Sequence, residues 1–396
     1  MRMLRVKYNK LFVTDNTKIA CIHRQIGRVI MELKGKKVMV VGTGISGIGA
    51  IDLLNKAGAD CIIYDANEKL TEEAVAKKLN GNKAQIIIGE LADDITEKVE
   101  LLVISPGVPV DSPLVKKFEE AGVPVWGEIE LAYNYDKGRI IAITGTNGKT
   151  TTTALVGQIV KAYNEQTYIV GNIGNSYTGE VLKTSENSYT VAEISSFQLE
   201  TVHRFHPVVS AILNITPDHL NRHHTMECYA HTKERIAENQ TKDDVCVLNM
   251  EDEELYRFGS ECKASVVWFS SKRKPDKGAY LDGDDIRYTD GTQDKLMLNI
   301  HDMNLLGTHN YENVCAAIAM TKAVGIPDDI IIEQVKCFKA VEHRIEYVAT
   351  KKGVWYYNDS KGTNPEASVK AIEAMVRPTI LIGGGYDKGS EFDMYV

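Results

Sequence analysis

The chain has 396 residues, 43% hydrophobic and 25% charged, with a net charge of −8 at pH 7. That length allows two or three domains with real cores, and the acidic balance argues against a nucleic-acid-binding surface or an anionic membrane partner. No apolar run approaches the roughly 18 residues of a membrane span, and the seven cysteines form no C-x-x-C pair, so reduced thiols in a cytoplasmic protein are expected.

Residues 1–30 carry seven basic side chains against one acid, Asp15, and no signal-peptide core. Met31 opens "MELKGKKVMVVG", which reads as a natural start, so residues 1–30 are expected to be an upstream extension without a packed role.

The first α/β unit, 31–127, begins with a strand at 38–41 that meets Gly42-x-Gly44-x-x-Gly47. A helix follows, with Ile48, Ile51, Leu53 and Leu54 for its buried side. The next strand, "CIIYD", ends in Asp65. Strand, three glycines, helix, strand and acid predict a Rossmann-like unit whose helix N-terminus faces a phosphate. Any nucleoside diphosphate would suit it; NAD is not specified. Strand 101–104 then ends in Ser105-Pro106-Gly107, at the sheet edge where ligands of open α/β sheets bind.

The second unit, 128–339, opens with "RIIAITGTNGKTTTTAL". The Walker spacing places four residues between its glycines; here only Thr146 and Asn147 separate Gly145 from Gly148. The parts still work as a phosphate loop. Backbone N–H groups can cradle phosphate, Lys149 can place a charge on it, and the Thr150 hydroxyl can reach Mg²⁺. Strands alternate with helices through "YIVGNIG", "YTVAEISSFQLE" and "VSAILNITPDHLNRHH", which predicts a mostly parallel sheet with helices on both faces. The stretch 245–305 reads as β-rich. Glu193 and His219 follow strand ends beside the loop and suggest a metal site. The histidines 219, 223, 224 and 231 match no zinc spacing. Lys233, on a predicted helix, reads from its neighbours alone as a solvated lysine.

The third unit, 340–396, supplies a strand, a turn and a helix in "VWYYNDSKGTNPEASVKAI", then a further strand and Gly loop in "TILIGGGYDKG". It is short for a free-standing α/β domain and is expected to be incomplete.

Ten motifs in order, "GTGISG", "SPGVP", "TGTNGKTTT", "GNIG", "EISSFQLE", "NITPDHLNRH", "GTHNYEN", "HRIE", "NDSKGTNP" and "GGGYDKG", give the chain from Met31 to Val396 a resemblance to the Mur ligase family. These are the ATP-dependent amino-acid-adding enzymes of peptidoglycan synthesis. "EISSFQLE" together with the Rossmann-like first unit favours the branch acting on UDP-N-acetylmuramoyl-L-alanine and D-glutamate.

The resemblance implies three domains: a Rossmann-like one for the UDP-substrate, a central P-loop-type ATPase domain, and a C-terminal Rossmann-like one. It implies that ATP meets Gly145, Thr146, Asn147, Gly148, Lys149, Thr150 and Thr151, with Asn310, Asn313, Arg344 and Asp359 completing its site. Ile45, Ser46, Asp65, Ser105, Asn172, Ser195, Gln198 and His219 would face the UDP-substrate, and Thr363 and Lys388 the D-glutamate. Thr150 and Glu193 would hold one Mg²⁺, and His219 with a carbamylated Lys233 a second. Lys149, Glu193, His219 and Lys233 are therefore the expected catalytic set. A monomer is expected.

Three departures stand against the family pattern. Asn221 replaces a common Asp, Asp65 is followed by Ala66-Asn67, and the family's last strands are absent after Val396. The amino-acid site is therefore expected to be half present and ligation by this chain poor. The alternatives are a sibling ligase adding another amino acid, or an NAD-type oxidoreductase or regulatory module built on the first unit.

Overall fold

A computed structural model of the chain describes residues 30–339, 341, 343–362, 365–375 and 377–385. The expected extension falls almost wholly outside these residues, as do Thr363 and Lys388.

Three sheets are present among them. The first contains β1 (Lys37–Val41), β2 (Asp60–Asp65), β3 (Gln85–Ile88), β4 (Leu101–Ile104) and β5 (Val125–Gly127), all parallel, in the order β3-β2-β1-β4-β5. Strand order reverses beside β1, so the glycine loop leaving β1 opens at the switch point where α/β sheets bind ligands. The helix Ile45–Lys56 starts there and buries Ala50, Ile51, Leu53 and Leu54. Ile48 stays half-buried.

The second sheet has nine strands: β6 (Arg139–Thr144), β7 (Thr167–Gly171), β8 (Tyr189–Glu193), β9 (Val209–Ile212), β10 (Val245–Asn249), β11 (Ser265–Ser270), β12 (Gly278–Asp282), β13 (Asp285–Thr289) and β14 (Asp294–Asn299). Their order is β14-β13-β12-β11-β10-β9-β6-β8-β7. It is parallel from β7 to β12, with β13 and β14 added antiparallel. The β-rich stretch read from the sequence thus extends the central sheet rather than forming one of its own. β6 is near-continuously apolar because helices cover both faces of a parallel sheet. On one of them the helices Lys149–Tyr163, Thr308–Ala323 and Asp328–Cys337 share a core with Ile141, Ile143 and Val191. The first of these begins with a run of β-branched threonines. It is a helix all the same, because Thr151, Thr152 and Thr153 are buried and packing outweighs intrinsic propensity.

In the third segment β15 (Glu346–Lys351) and β16 (Val354–Asn358) pair antiparallel, and the helix Pro365–Glu373 follows. The strand expected in "TILIGGG" does not form: residues 378–385 have no regular structure, and Ile380 and Ile382 are 92% and 93% exposed. An apolar run becomes a strand only where a neighbour supplies ladder partners, and the hairpin supplies none to it. Among the described residues no helix is long and apolar enough to cross a membrane.

Candidate active site

The phosphate loop lies between the end of β6 and the helix Lys149–Tyr163. Gly145 and Gly148 sit at φ 150° and 84°. A side chain on Gly148 would place Cβ 2.3 Å from Asn313 Oδ1, so this position needs glycine for both conformation and space. The segment after β9 fastens the loop. Thr146 N–H donates to Asn214 O at 2.9 Å, Asn147 N–H to Asn214 Oδ1 at 2.7 Å, and Asn214 Nδ2 to Asn147 O at 3.1 Å. The Thr146 hydroxyl donates to Thr216 O at 3.1 Å. Lys149 Nζ folds back onto the carbonyls of Gly145 and Thr146, at 2.8 and 2.7 Å. Burial pushes its pKa down, while Glu193 and Asp218 oppose that shift.

Glu193 ends β8, in register with Ile143 of β6, and is 1% exposed. Its Oε1 accepts from Asn172 Nδ2 at 2.9 Å, while its buried Oε2 has no hydrogen-bond partner. An orphaned buried carboxylate oxygen is costly, and a hard cation would satisfy it. Glu193 therefore fits a hard cation such as Mg²⁺, which takes oxygen donors.

Lys233 is 1% exposed, which overturns the solvated reading. Its Nζ donates to Gly145 O at 2.9 Å and lies 4.5 Å from the centroid of the Tyr229 ring. Burial holds the amine well below its ordinary pKa, the nearby Lys149 lowers it further, and Asp218 opposes. His219 occupies a left-handed conformation, φ 53°, with its side chain 47% exposed. Its ring lies 4.9 Å from Phe197; Phe197 stacks on His223 at 5.5 Å, and His223 lies 5.1 Å from Tyr229. A run of ring contacts thus links His219 to the platform under Lys233. Among the described residues no ready-made cluster of three or more His, Cys, Asp or Glu closes on itself.

The loop opens onto a cavity of about 310 Å³. It brings Asn147, Gly148, Thr150 and Thr151 together with Asn310, Asn313, Arg344 and Asp359, residues that lie far apart in sequence. The two asparagines are engaged within the protein. Asn310 Nδ2 donates to Leu306 O at 2.7 Å, Asn313 Nδ2 to Asn310 Oδ1 at 3.3 Å, and Thr152 Oγ1 to Asn313 Oδ1 at 3.2 Å. They tie the helix Thr308–Ala323 to the helix behind the loop. Burial pushes the Asp359 carboxyl up, against a hydrogen bond from Ile345 N–H. Sequence reasoning missed Asn214, Asn249, Asp252, His309 and Lys370, all on the cavity wall, and Asp218, whose charge acts on both lysines. The available signal was position: Asn214, Asn249 and Asp252 directly follow or end strands at the same sheet edge as the loop.

In the first sheet Asp65 is not a free acid. Its Oδ2 accepts from Thr43 N–H at 3.1 Å and the Thr43 hydroxyl at 2.8 Å, which ties down the glycine loop. Ile45 is 85% exposed at the start of its helix and Ser46 is half-buried. The Ser105 Oγ is buried without a hydrogen-bond partner and shares a narrow cleft with Glu128, Phe197 and Gln198. Ser195 and Gln198 form a capping box at the helix Ser196–Leu199, and Gln198 Nε2 donates to Glu128 Oε1 at 2.5 Å. Both thus have structural partners within the protein. Arg222 crosses to the first unit, donating to Val108 O at 2.9 Å and to Glu200 at 2.5 Å.

One edge of the mostly parallel sheet thus carries a glycine loop of phosphate-binding type, a buried carboxylate with an unpaired oxygen and a buried lysine, a set of groups that fits a nucleotide-dependent enzyme. Comparison with known proteins gives the family. Residues 36–127 match the Mur ligase MurD-like N-terminal domain, and residues 143–321 the Mur ligase middle domain. The chain is 80% identical over 366 residues to the UDP-N-acetylmuramoylalanine--D-glutamate ligase of Lachnospira eligens, covering 92% of this chain and 81% of that protein. It is 53% identical over 367 residues to the ligase of the same name from Lachnoclostridium phytofermentans, with the same coverage. Its fold is similar to the UDP-N-acetylmuramate:L-alanyl-gamma-D-glutamyl-meso-diaminopimelate ligase of Neisseria meningitides, with a TM-score of 0.54 at 18% identity over 78% of this chain and 99% of that one. The chain belongs to the Mur ligase family.

Proposed function

We propose that this chain is an ATP-dependent ligase that joins D-glutamate to the L-alanine carboxylate of UDP-N-acetylmuramoyl-L-alanine, a step of peptidoglycan precursor synthesis in the cytoplasm. The observation that carries the chemistry is the convergence of Lys149, Glu193 and the buried Lys233 on one phosphate loop. The amino acid rests on the names of relatives 80% and 53% identical.

The γ-phosphoryl group of ATP passes to a carboxylate oxygen of the L-alanyl group, giving an acyl phosphate and ADP. The amine of D-glutamate attacks the acyl carbon, loses a proton, and the tetrahedral intermediate expels phosphate to leave the amide. Such transfer asks mainly for positioning and charge neutralisation. The loop N–H groups and the start of the helix Lys149–Tyr163 hold the phosphates, and Lys149 leaves its two carbonyls to meet them. Thr150 and Glu193 would hold one Mg²⁺, and His219 with a carbamylated Lys233 a second; the cations would neutralise charge on the phosphoryl oxygens. Burial lowers the pKa of this lysine and so favours the neutral amine, the form that adds CO₂ and becomes an oxygen ligand. Residues 31–127 would bind the UDP-substrate and 128–339 the ATP, with 340–396 meeting the amino acid. Asn310 and Asn313 would meet the adenine, with Arg344 and Asp359 on the ATP side; all four line the same cavity. A monomer suffices for this arrangement.

The test is phosphate release from ATP with UDP-N-acetylmuramoyl-L-alanine, with and without D-glutamate. Phosphate release that requires the UDP-substrate is expected, and any increase on adding D-glutamate assigns the amino acid. NAD binding without ATP binding would favour an oxidoreductase and defeat the reading.

A further inference from the structure

The phosphate loop is a two-residue span, Thr146 and Asn147, held between glycines at φ 150° and 84°. Two such pivots leave the span free to rotate. A phosphate cradle cannot use that freedom, because its N–H groups must be aimed before the nucleotide arrives. The segment after β9 removes it. The Asn214 carbonyl accepts from Thr146 N–H at 2.9 Å, and its side-chain amide grips both sides of the next residue: Oδ1 accepts from Asn147 N–H at 2.7 Å and Nδ2 donates to Asn147 O at 3.1 Å. Asn214 is itself held on both flanks. Asn249 Nδ2 donates to Leu213 O at 3.1 Å, and Asp252 Oδ2 accepts from Ile215 N–H at 2.7 Å. Asn214 also borders the cavity onto which the loop opens.

We propose that Asn214 is a positioning residue for the nucleotide phosphates: its carboxamide fixes the Asn147 peptide so that the N–H groups that follow it, at the start of the helix Lys149–Tyr163, face the phosphates in one orientation. The proposal rests on the reading of this loop as the ATP site. The residue type follows from the chemistry. Only a carboxamide carries an acceptor and a donor at one tip. Aspartate keeps the acceptor, loses the donor and adds a negative charge beside the phosphates. Alanine loses both.

The experiment is calorimetric titration of the full chain, N214A and N214D with ATP and Mg²⁺, and separately with UDP-N-acetylmuramoyl-L-alanine. The parent binds both. N214A is expected to bind ATP about tenfold more weakly, the scale of losing a buried hydrogen-bond pair, and N214D more weakly still, with affinity for the UDP-substrate unchanged. N214A binding ATP within twofold of the parent would overturn the proposal, as would a parallel loss of both affinities, which marks a merely structural residue. Should N214A not fold, the near-isosteric N214D decides, and ATP binding at parental strength overturns the proposal. A parent that binds UDP-substrate but no ATP defeats the reading of the loop itself, and the proposal with it.

Discussion

Lys233 and Lys149 are both lysines beside the same carbonyl of Gly145, yet the sequence distinguishes only one of them. Lys149 follows a glycine turn, a local pattern with a known physical use. Lys233 lies in "YAHTKERI", where nothing local marks it, and its role depends on burial and on the Tyr229 ring beneath it. The consequence is testable in the resting protein. Burial depresses its pKa, which favours the neutral amine that CO₂ adds to. With ¹³C-bicarbonate at pH 7.5, a carbamate carbon resonance is expected in the parent and absent from Lys233→Ala, whose ligase activity should fall at least 100-fold. Identical spectra for the two proteins would reject carbamylation.

At the scale of elements, the packing of the helix Ile45–Lys56 against the short helix Tyr177–Glu180 joins the first sheet to the second. Gly49 allows it: a Cβ there would fall 2.8 Å from Thr178 Oγ1 and 3.0 Å from Ser176 Oγ. Ser176 caps the helix Tyr177–Glu180 and gives way only by losing that bond. Gly49→Leu should push the units apart and raise KM for the UDP-substrate about tenfold while leaving ATP affinity unaltered; steady-state kinetics with each substrate varied would show it, and equal effects on both would count against the idea. Strands were the most legible elements, because "VMVV", "RIIAIT" and "VSAI" are buried on both faces and read as apolar runs. "TILIGG" reads the same way and is not a strand, since pairing is a property of neighbours. The turn chemistry at Gly145 and Gly148 was legible; the clamp from Asn214 was not, because it closes across 67 residues.

For the whole molecule, a buried histidine and a half-buried one set a pH limit. His223 and His309 are both pushed down to about 4, chiefly by burial, then by Lys233 and Arg222 at the first and Lys370 and Arg344 at the second. Their folded pKa lies below the unfolded value, so between pH 4 and 6.5 the unfolded chain binds more protons and stability falls as pH is lowered. Tm should drop by about 5 °C from pH 7 to pH 5, and His223→Gln should flatten part of the slope. Asp252 and Asp359, raised by burial, act in the opposite sense at lower pH, so the scan belongs at or above pH 5. A Tm independent of pH over this range would contradict the lowered pKa of both rings.

The sequence by itself determined the local chemistry: which strands run into glycine turns, which residues could hold phosphate, and the family those motifs resemble. These are short-range matters, set by backbone freedom and by side-chain period within a few residues. The tertiary structure decided what those residues meet. It buried Lys233 and lowered its pKa, left one oxygen of Glu193 without a partner, occupied Asp65 and Gln198 with protein contacts, and gathered Asn310, Arg344 and Asp359 around one cavity. Desolvation, orphaned atoms and convergence arise only between elements distant in sequence, and no local pattern encodes them.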